Sequence, residues 1–253
     1  MGGLPGLKYA WVRIFIFNSQ GGIILHPRSN VLSVRKSIAL IALASALALV
    51  TGCVAPFSDL QSAKLVGKGN FEVTPGYSSV SISDEGSSQK IQENYGVQVA
   101  YGVTKFMDWR LRYEYLTFDV EDETAKTNII GFGPKFRLFK NWLAFYVPVG
   151  LAFGGDLEDG TSSDTWQVHP TLLGTLTIGK FLEINPSAKV MIPFSKDTFE
   201  TLYAFNLGFA VSTDVSKWAI RPEVGLCTGP DLDGGTFMQF SIGFTLNSAL
   251  FKK

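Results

Sequence analysis

The chain has 253 residues, with 22 basic and 22 acidic side chains, so its formal net charge is zero. Charged residues make up only 17% of the chain and hydrophobic residues 46%, whereas soluble domains carry roughly 25% charged residues. This composition excludes a disordered chain, and two cysteines are too few for a disulfide scaffold. Two Cys and two His give no Cys/His zinc motif, and no basic excess indicates nucleic-acid binding.

The zero net charge is an average over two unlike parts of the chain. Residues 1–52 contain five basic side chains and no Asp or Glu, so the remainder carries a net charge of about −5. Within this leader, Arg35 and Lys36 precede an apolar run at residues 38–50. A basic start followed by a short apolar run is typical of a secretory signal peptide. The run is too short for a transmembrane helix, which needs about 20 residues.

The apolar run ends in the sequence VTGC at residues 50–53, which resembles the lipobox of bacterial lipoprotein signals. The resemblance implies that residues 31–52 are a signal peptide and that Cys53 becomes the lipid-bearing N-terminus of the mature chain. Val54, in place of an Asp, is compatible with transfer to the outer membrane by the lipoprotein-sorting machinery. A buried anchor cysteine without lipid is the alternative for Cys53.

From residue 70 onward the hydrophobic pattern has a period of two. In the clearest stretch, Ile91 to Thr104, bulky apolar side chains alternate with small or polar ones. Strict alternation over about 13 residues predicts a strand much longer than the average of about 5–6. The same alternation recurs from a first strand at residues 70–83 to a last one around 238–246, which makes ten strands.

The two faces of these strands predict which environment each face meets. One face is bulky and apolar, with aromatic rings near its ends, and the other is small or polar. Only a closed barrel can place strands in lipid with every backbone group paired, and large apolar residues outside with small polar residues inside are its signature. The fold class predicted is all-β: a closed antiparallel transmembrane β-barrel of about ten strands, preceded by a signal helix.

The connections between strands alternate in length and in charge. Four short ones carry a Lys beside aromatic residues, as at Lys105 and Lys140. The longer ones, near residues 84–90, 120–126, 154–165, 195–200 and 227–235, are rich in Asp and Glu. Outer-membrane barrels have short periplasmic turns and longer external loops. The pattern therefore predicts acidic loops at the cell surface and a periplasmic N-terminus.

On this pattern the chain, from about residue 70 to 251, resembles the small bacterial outer-membrane β-barrel proteins. The resemblance implies an outer-membrane location among lipids and lipopolysaccharide, and biogenesis by the barrel-assembly machinery. We divide the chain into an upstream extension from a translation start assigned too early (1–30), the signal peptide (31–52), a periplasmic linker (53–69) and the barrel (70–253). Asn247 to Lys253 follow the expected last strand, which leaves its end open.

Inward-facing residues at two depths of the barrel form the candidate site. In the periplasmic half we predict a charge network that closes the lumen, because unpaired charges in a confined interior are costly. Its members are Glu72, Arg110, Arg112, Glu114, Lys135, Arg137, Glu183, Arg221 and Glu223. In the outer half we predict a small uncharged cup formed by Gln92, Asn94, Gln167, His169, Asn206 and Gln239.

These residues favour a lipid-anchored outer-membrane barrel with a structural, surface or small-solute binding or passage role. A second reading is an outer-membrane enzyme, because His169-Pro170-Thr171 weakly resembles lipid A deacylase sites and ten strands resemble omptins. No Asp-x-His pair accompanies His169. A third is a soluble lipocalin-like lipid binder, which would need the opposite face pattern. No motif predicts a cofactor, and Asp231 and Asp233 are only weak candidates for a hard cation.

Overall fold

The computed structural model describes residues 56–84, 87–120, 123–156, 164–195, 200–230 and 236–251. The predicted upstream extension, signal peptide and Cys53 lie outside these residues. No helix in the described part is long and apolar enough to cross a membrane. The strands are β1 (Phe71–Asp84), β2 (Ser87–Gly102), β3 (Met107–Val120), β4 (Glu123–Phe139), β5 (Leu143–Tyr146), β6 (Val149–Phe153), β7 (Gln167–Val168), β8 (Thr171–Gly174), β9 (Leu176–Ile178), β10 (Leu182–Pro193), β11 (Leu202–Val211), β12 (Trp218–Thr228) and β13 (Thr236–Asn247).

All neighbouring strands pair antiparallel, and the sheet closes on itself. β1 pairs with β2 on one side and with β13 on the other. β5 and β6 are two pieces of one barrel strand, and β7, β8 and β9 are three pieces of the next. The thirteen segments therefore form ten barrel strands, which confirms the predicted closed all-β barrel. The last strand ends at Asn247, and a short 3-10 helix, Ser248–Phe251, follows it.

The strand faces follow the predicted alternation. In β11, Tyr203, Phe205 and Leu207 are exposed, whereas Ala204 and Asn206 between them are buried. Successive side chains of a strand point to opposite faces, so the bulky apolar residues form the outer surface and the small or polar ones the lumen wall. This arrangement is the opposite of a soluble lipocalin-like barrel.

A β-bulge changes the phase of the alternation in the first hairpin. The register between β1 and β2 shifts at Val80 and Ser81, and Ile91 packs against an apolar cluster inside the barrel. This corrects the expectation that Ile91 shares the lipid face, because an extra residue in one strand turns the side chains beyond it. The same hairpin continues as strand to Asp84, through part of the loop expected at 84–90.

A segment ahead of β1 runs through the barrel interior. Ser58, Asp59 and Ala63 are at most 2% exposed. The chain then reverses at residues 67–70, where the Asn70 amide donates to the Gly67 carbonyl at 3.0 Å and Gly67 has a φ of 82°. We call residues 56–66 the inner segment. It covers residues 56–66 of the predicted linker, 53–69. Its place among the wall side chains could not be predicted from the alternation, because the segment has no periodicity.

The outer face gives a first prediction. Val224 is half-exposed near the middle of β12, and Thr228 is exposed on the same face at its end. In lipid vesicles, Val224→Lys should lower the free energy of unfolding by about 2–4 kcal/mol, because a charge at the bilayer midplane is costly.

Urea titrations of the folded band on gels measure this loss. Thr228→Lys is the matched control and should lose no more than about 1 kcal/mol, because the cost falls near the interface. Equal losses from the two variants would contradict a lipid-facing outer surface.

Candidate functional site in the barrel lumen

The barrel wall satisfies the backbone of the inner segment with side chains rather than with another strand. Lys189 Nζ donates to the carbonyl oxygens of Phe57, at 3.0 Å, and Ser58, at 3.3 Å. Gln98 donates to the carbonyl of Asp59 at 3.1 Å. Buried backbone groups need a partner, and outside a sheet ladder only polar side chains of the wall can supply one.

Asp59 is the centre of these contacts. Its carboxylate lies 3.0 Å from Lys189 Nζ and accepts a hydrogen bond from Asn206 Nδ2 at 2.9 Å. Its amide donates to Glu223 Oε1 at 2.7 Å, and the amide of Leu60 donates to the other carboxylate oxygen at 2.9 Å. Hydrogen bonds to charged groups are worth about 1.5–3 kcal/mol each when buried. This cluster therefore holds the inner segment in the middle of the lumen.

A second set of contacts lies toward the end of the barrel that carries the short turns. Lys135 Nζ donates to the carbonyls of Ser62 and Lys64, at 3.1 and 2.7 Å. Lys64 forms an ion pair with Glu183 at 2.7 Å. The amide of Val66 donates to Asp108 at 3.0 Å, close to the start of β3. The inner segment is thus bonded to the wall along most of its length.

The remaining charges of the wall pair with each other. Arg110 lies 3.2 Å from Glu72, and Arg221 lies 3.8 Å from Glu183. Arg112 Nε donates to Glu114 at 2.6 Å. Eight of the nine charged residues predicted in the lumen make ion pairs or charged hydrogen bonds there, and these eight are Glu72, Arg110, Arg112, Glu114, Lys135, Glu183, Arg221 and Glu223. Arg137 is half-buried and takes part in none of the described ion pairs.

The mechanism of closure differs from the predicted one. The sequence predicts a floor made by wall charges alone, whereas the inner segment occupies the lumen and the wall charges bond to it. Asp59 and Lys64 of the segment are members that the prediction missed, as are Asp108 and Lys189 of the wall. Lys189 alternates with apolar neighbours in β10, so its inward position was visible in the sequence, but its partner Asp59 was not.

Glycines of the wall make room for the inner segment. A Cβ at Gly76 would lie 2.7 Å from Leu60 Cδ1. One at Gly225 would meet Asn206 of the wall first and would lie 3.2 Å from the ring of Phe57. Both distances are shorter than an ordinary van der Waals contact. The positions of these glycines on the lumen face therefore match the side chains of the segment, and they are a signal of it within the sequence.

The six residues of the predicted outer cup do not form one group. Gln92 donates to Asn94 at 2.7 Å, and His169 Nε2 lies 3.0 Å from Gln167 Oε1. Asn206 belongs instead to the Asp59 cluster. Gln239 lies 3.5 Å from Glu223. The set thus divides between two local pairs and the centre of the lumen.

Apolar clusters lie inside the outer half of the barrel, where the sequence predicts only an uncharged polar cup. One contains Phe57, Met191, Leu202 and Phe237. A second contains Leu116, Phe118, Ile129 and Ala152. Leu116 and Phe118 continue the inward face of Arg112 and Glu114 along β3, so the alternation places them in the lumen once the strand is followed to its end.

A small cavity lies beside His169, between the inner segment and the wall. Its volume is about 30 Å³, and its lining includes Pro56, Tyr146, His169 and Lys189. This is enough space for about one water molecule. His169 pairs there with Gln167. The alternative prediction of an enzyme requires an acidic partner at this position.

The described residues contain no candidate metal site. Among them, no group of three or more His, Cys, Asp or Glu side chains is placed to hold a metal ion. Asp231 and Asp233, the weak candidates for a cation, lie outside the described residues.

Searches against known proteins give likeness in fold only. No protein-family model and no curated protein matches the sequence. Among solved structures, an outer-membrane channel from Pseudomonas putida F1 is 10% identical with a TM-score of 0.49, covering 75% of this chain and 99% of its own. The attachment invasion locus protein Ail of Yersinia pestis is 12% identical with a TM-score of 0.35, covering 71% and 99%. The translocator domain of the autotransporter NalP from Neisseria meningitidis is 9% identical with a TM-score of 0.40, covering 84% and 97%. These values are too low to carry a function across.

The Asp59–Lys189 pair gives the second prediction. Lys189→Met should weaken the hold on the inner segment by about 3 kcal/mol, because it leaves a buried carboxylate without its cation. In a Cys53→Ser, Cys227→Ser background, which removes both native cysteines, Ser62→Cys reports when the segment leaves the lumen. Its labelling by a water-soluble maleimide should become about 100-fold faster.

Lys90→Met is the matched control, because Lys90 and Glu93 form an exposed ion pair at 3.0 Å on the outer face. Exposed pairs contribute at most about 1 kcal/mol, so labelling at residue 62 should not change. Unchanged labelling in Lys189→Met as well would show that the pair does not hold the segment.

Proposed function

We propose that this chain is an outer-membrane β-barrel protein whose lumen is closed by its own inner segment as long as Cys53 carries no lipid. Its role is structural, at the cell surface, or the gated passage of a small solute. The observation that carries the proposal is the inner segment itself, bonded to the wall from Phe57 to Val66. Ten strands leave a narrow lumen, close to the eight-stranded barrels that hold only side chains or one small ligand.

The outer surface supports the membrane location. Exposed aromatic rings lie at the ends of the strands, such as Phe106 and Trp142 at the short turns and Tyr203 at the opposite end. Aromatic side chains concentrate at both membrane interfaces. We assign the short turns to the periplasm and the acidic loops to the cell surface, as the loop lengths favour.

The second part of the proposal is lipid attachment to Cys53. A lipid anchor at this residue and insertion of the inner segment into the lumen exclude each other. Pro56 lies beside Lys189, and both line the same cavity. Lys189 is seven residues along β10 from Leu182, where this strand begins at a short turn. Seven residues of a strand tilted by about 40° rise roughly 18 Å. Two residues lie between Cys53 and Pro56, so the three Cα–Cα steps from one to the other span at most about 11 Å. A lipid in the periplasmic leaflet therefore requires the inner segment to leave the lumen.

Conductance of the protein without lipid gives the third prediction. In planar bilayers, Cys53→Ser should show no steady current, because the segment closes the lumen. Adding Gly76→Val should open the barrel, because the new side chain occupies the space of Leu60. A variant that lacks residues 57–66 should conduct in the same way.

Gly131→Val is the matched control, since a Cβ at Gly131 would find its nearest atom 3.9 Å away. It should remain closed. A large current from Cys53→Ser alone would contradict the closed lumen, and a deletion variant that folds and does not conduct would contradict the passage role.

The lipid gives the fourth prediction. Metabolic labelling with an azido fatty acid should mark the native protein and not Cys53→Ser. The labelled protein should conduct, because its anchor holds the segment outside the lumen. Absence of labelling would remove the lipid from the proposal, and a labelled but closed barrel would contradict an anchor in the periplasmic leaflet.

A further inference from the structure

One join between two barrel strands has fewer register pairs than the others in the described part. Four register pairs connect β5 to β8, and two connect β6 to β7. The next smallest number is seven, between β11 and β12, and the largest joins have many more, such as fourteen between β3 and β4. No other two neighbouring barrel strands in the described part have so few. We call this join, between β5–β6 and β7–β8, the seam.

Proline interrupts both strands of the seam at the same level. Pro148 separates β5 from β6, and Pro170 separates β7 from β8. Proline has no backbone N–H to donate. A single backbone hydrogen bond, from the His169 amide to the Pro148 carbonyl at 2.9 Å, spans the seam at this point. Because unpaired backbone groups cost several kcal/mol in lipid, the wall can part here by breaking fewer bonds than elsewhere.

The small cavity lies directly inside the seam. Its lining includes Pro148, Gly150 and His169 from the two strands of the seam, and Gly131 from the neighbouring β4. A Cβ at Gly131 would meet no atom closer than 3.9 Å. The seam is thus backed by open space where the adjacent wall has no side chain.

The inner segment supports the seam from inside. Ala63 packs with Ala144 and Tyr146 of β5 and with Leu173 of β8. Its amide donates to Thr175 Oγ1 at 2.7 Å. When the segment leaves the lumen, these residues lose their packing on the inside, so closure of the lumen and closure of the seam are connected.

We propose that the seam is a lateral opening between the lumen and the lipid phase. This inference rests on the proposed outer-membrane barrel and names its solute class: a small molecule with an apolar body and one acidic group. Apolar clusters line the outer half of the lumen, whereas paired charges occupy the way toward the short turns. The apolar part of such a molecule therefore contacts apolar side chains only on the path between the outer half of the lumen and the seam.

The cavity supplies groups for the acidic end of such a molecule. Arg112, Lys189 and His169 all line it. Arg112 and Lys189 donate there to Ser58 carbonyl oxygen while the segment is inserted. An acidic group can take the place of that carbonyl when the segment leaves, because a carboxylate accepts stronger hydrogen bonds from cations than a carbonyl does.

The fifth prediction tests the opening with a reactive probe. In a Cys53→Ser, Cys227→Ser background, which removes both native cysteines, Gly131→Cys places a thiol in the cavity. Pyrene maleimide dissolved in the bilayer should label it. A disulfide between Phe145→Cys and Leu172→Cys, which are register partners across the seam, should suppress the labelling.

The matched control is a disulfide between Val97→Cys and Tyr113→Cys, register partners on the outer face of β2 and β3. It should leave the labelling rate unchanged, and reduction of the seam disulfide should restore the rate. Labelling that ignores the seam disulfide, or labelling only by a charged maleimide from water, would overturn the lateral opening. The conductance of Cys53→Ser tests the closed lumen by a separate readout.

Discussion

The structure depends on one constraint: the backbone of the inner segment is buried, and it has no strand beside it to bond with. Each of its amides and carbonyls that bonds to the wall does so through a side chain, such as Glu223 for Asp59 and Leu60 or Lys135 for Ser62 and Lys64. Leaving such groups unpaired would cost about 1–3 kcal/mol each. The polar composition of the wall follows from this requirement.

The charges of the lumen therefore have two uses. Some pair across the wall, as Arg110 does with Glu72, and they keep a narrow interior neutral. Others are divided between a wall partner and the segment, as Glu183 is between Arg221 and Lys64. Loss of the segment thus leaves Lys189 without its carboxylate partner Asp59. In the proposed open state the lumen would be charged and hydrated, with water in place of the bonds to the segment.

The sequence predicted the barrel well because lipid and lumen impose opposite side-chain types on successive residues. A period of two records that difference directly, which is why the number of strands and the inward position of Arg112 or Glu223 could be predicted. The inner segment contacts residues more than 100 positions away, as Asp59 does with Lys189. Such contacts leave no local period. Only the glycines on the lumen face, such as Gly76 opposite Leu60, indicate the inner segment. Glycines at these positions are also expected in a narrow barrel that has no such segment.

Two interruptions of the alternating pattern, the prolines and the bulge, mark structural features that the pattern itself does not predict. The prolines at 148 and 170 shorten two neighbouring strands, and only the register shows that they lie at neighbouring positions across one join. Ile91 sits beside a bulge that no alternation could foresee. Both features depend on which residues pair between strands. Register of that kind is set by the whole barrel rather than by either strand alone.

Hydrogen–deuterium exchange of the inner segment, in the unlipidated Cys53→Ser protein in lipid vesicles, tests the central claim most directly. The amides of Asp59, Leu60, Ala63 and Val66 donate to wall side chains, so they should be protected from exchange as strongly as amides in the strands. Exchange at the rate of an unstructured peptide would contradict the account, because it would place the segment outside the lumen.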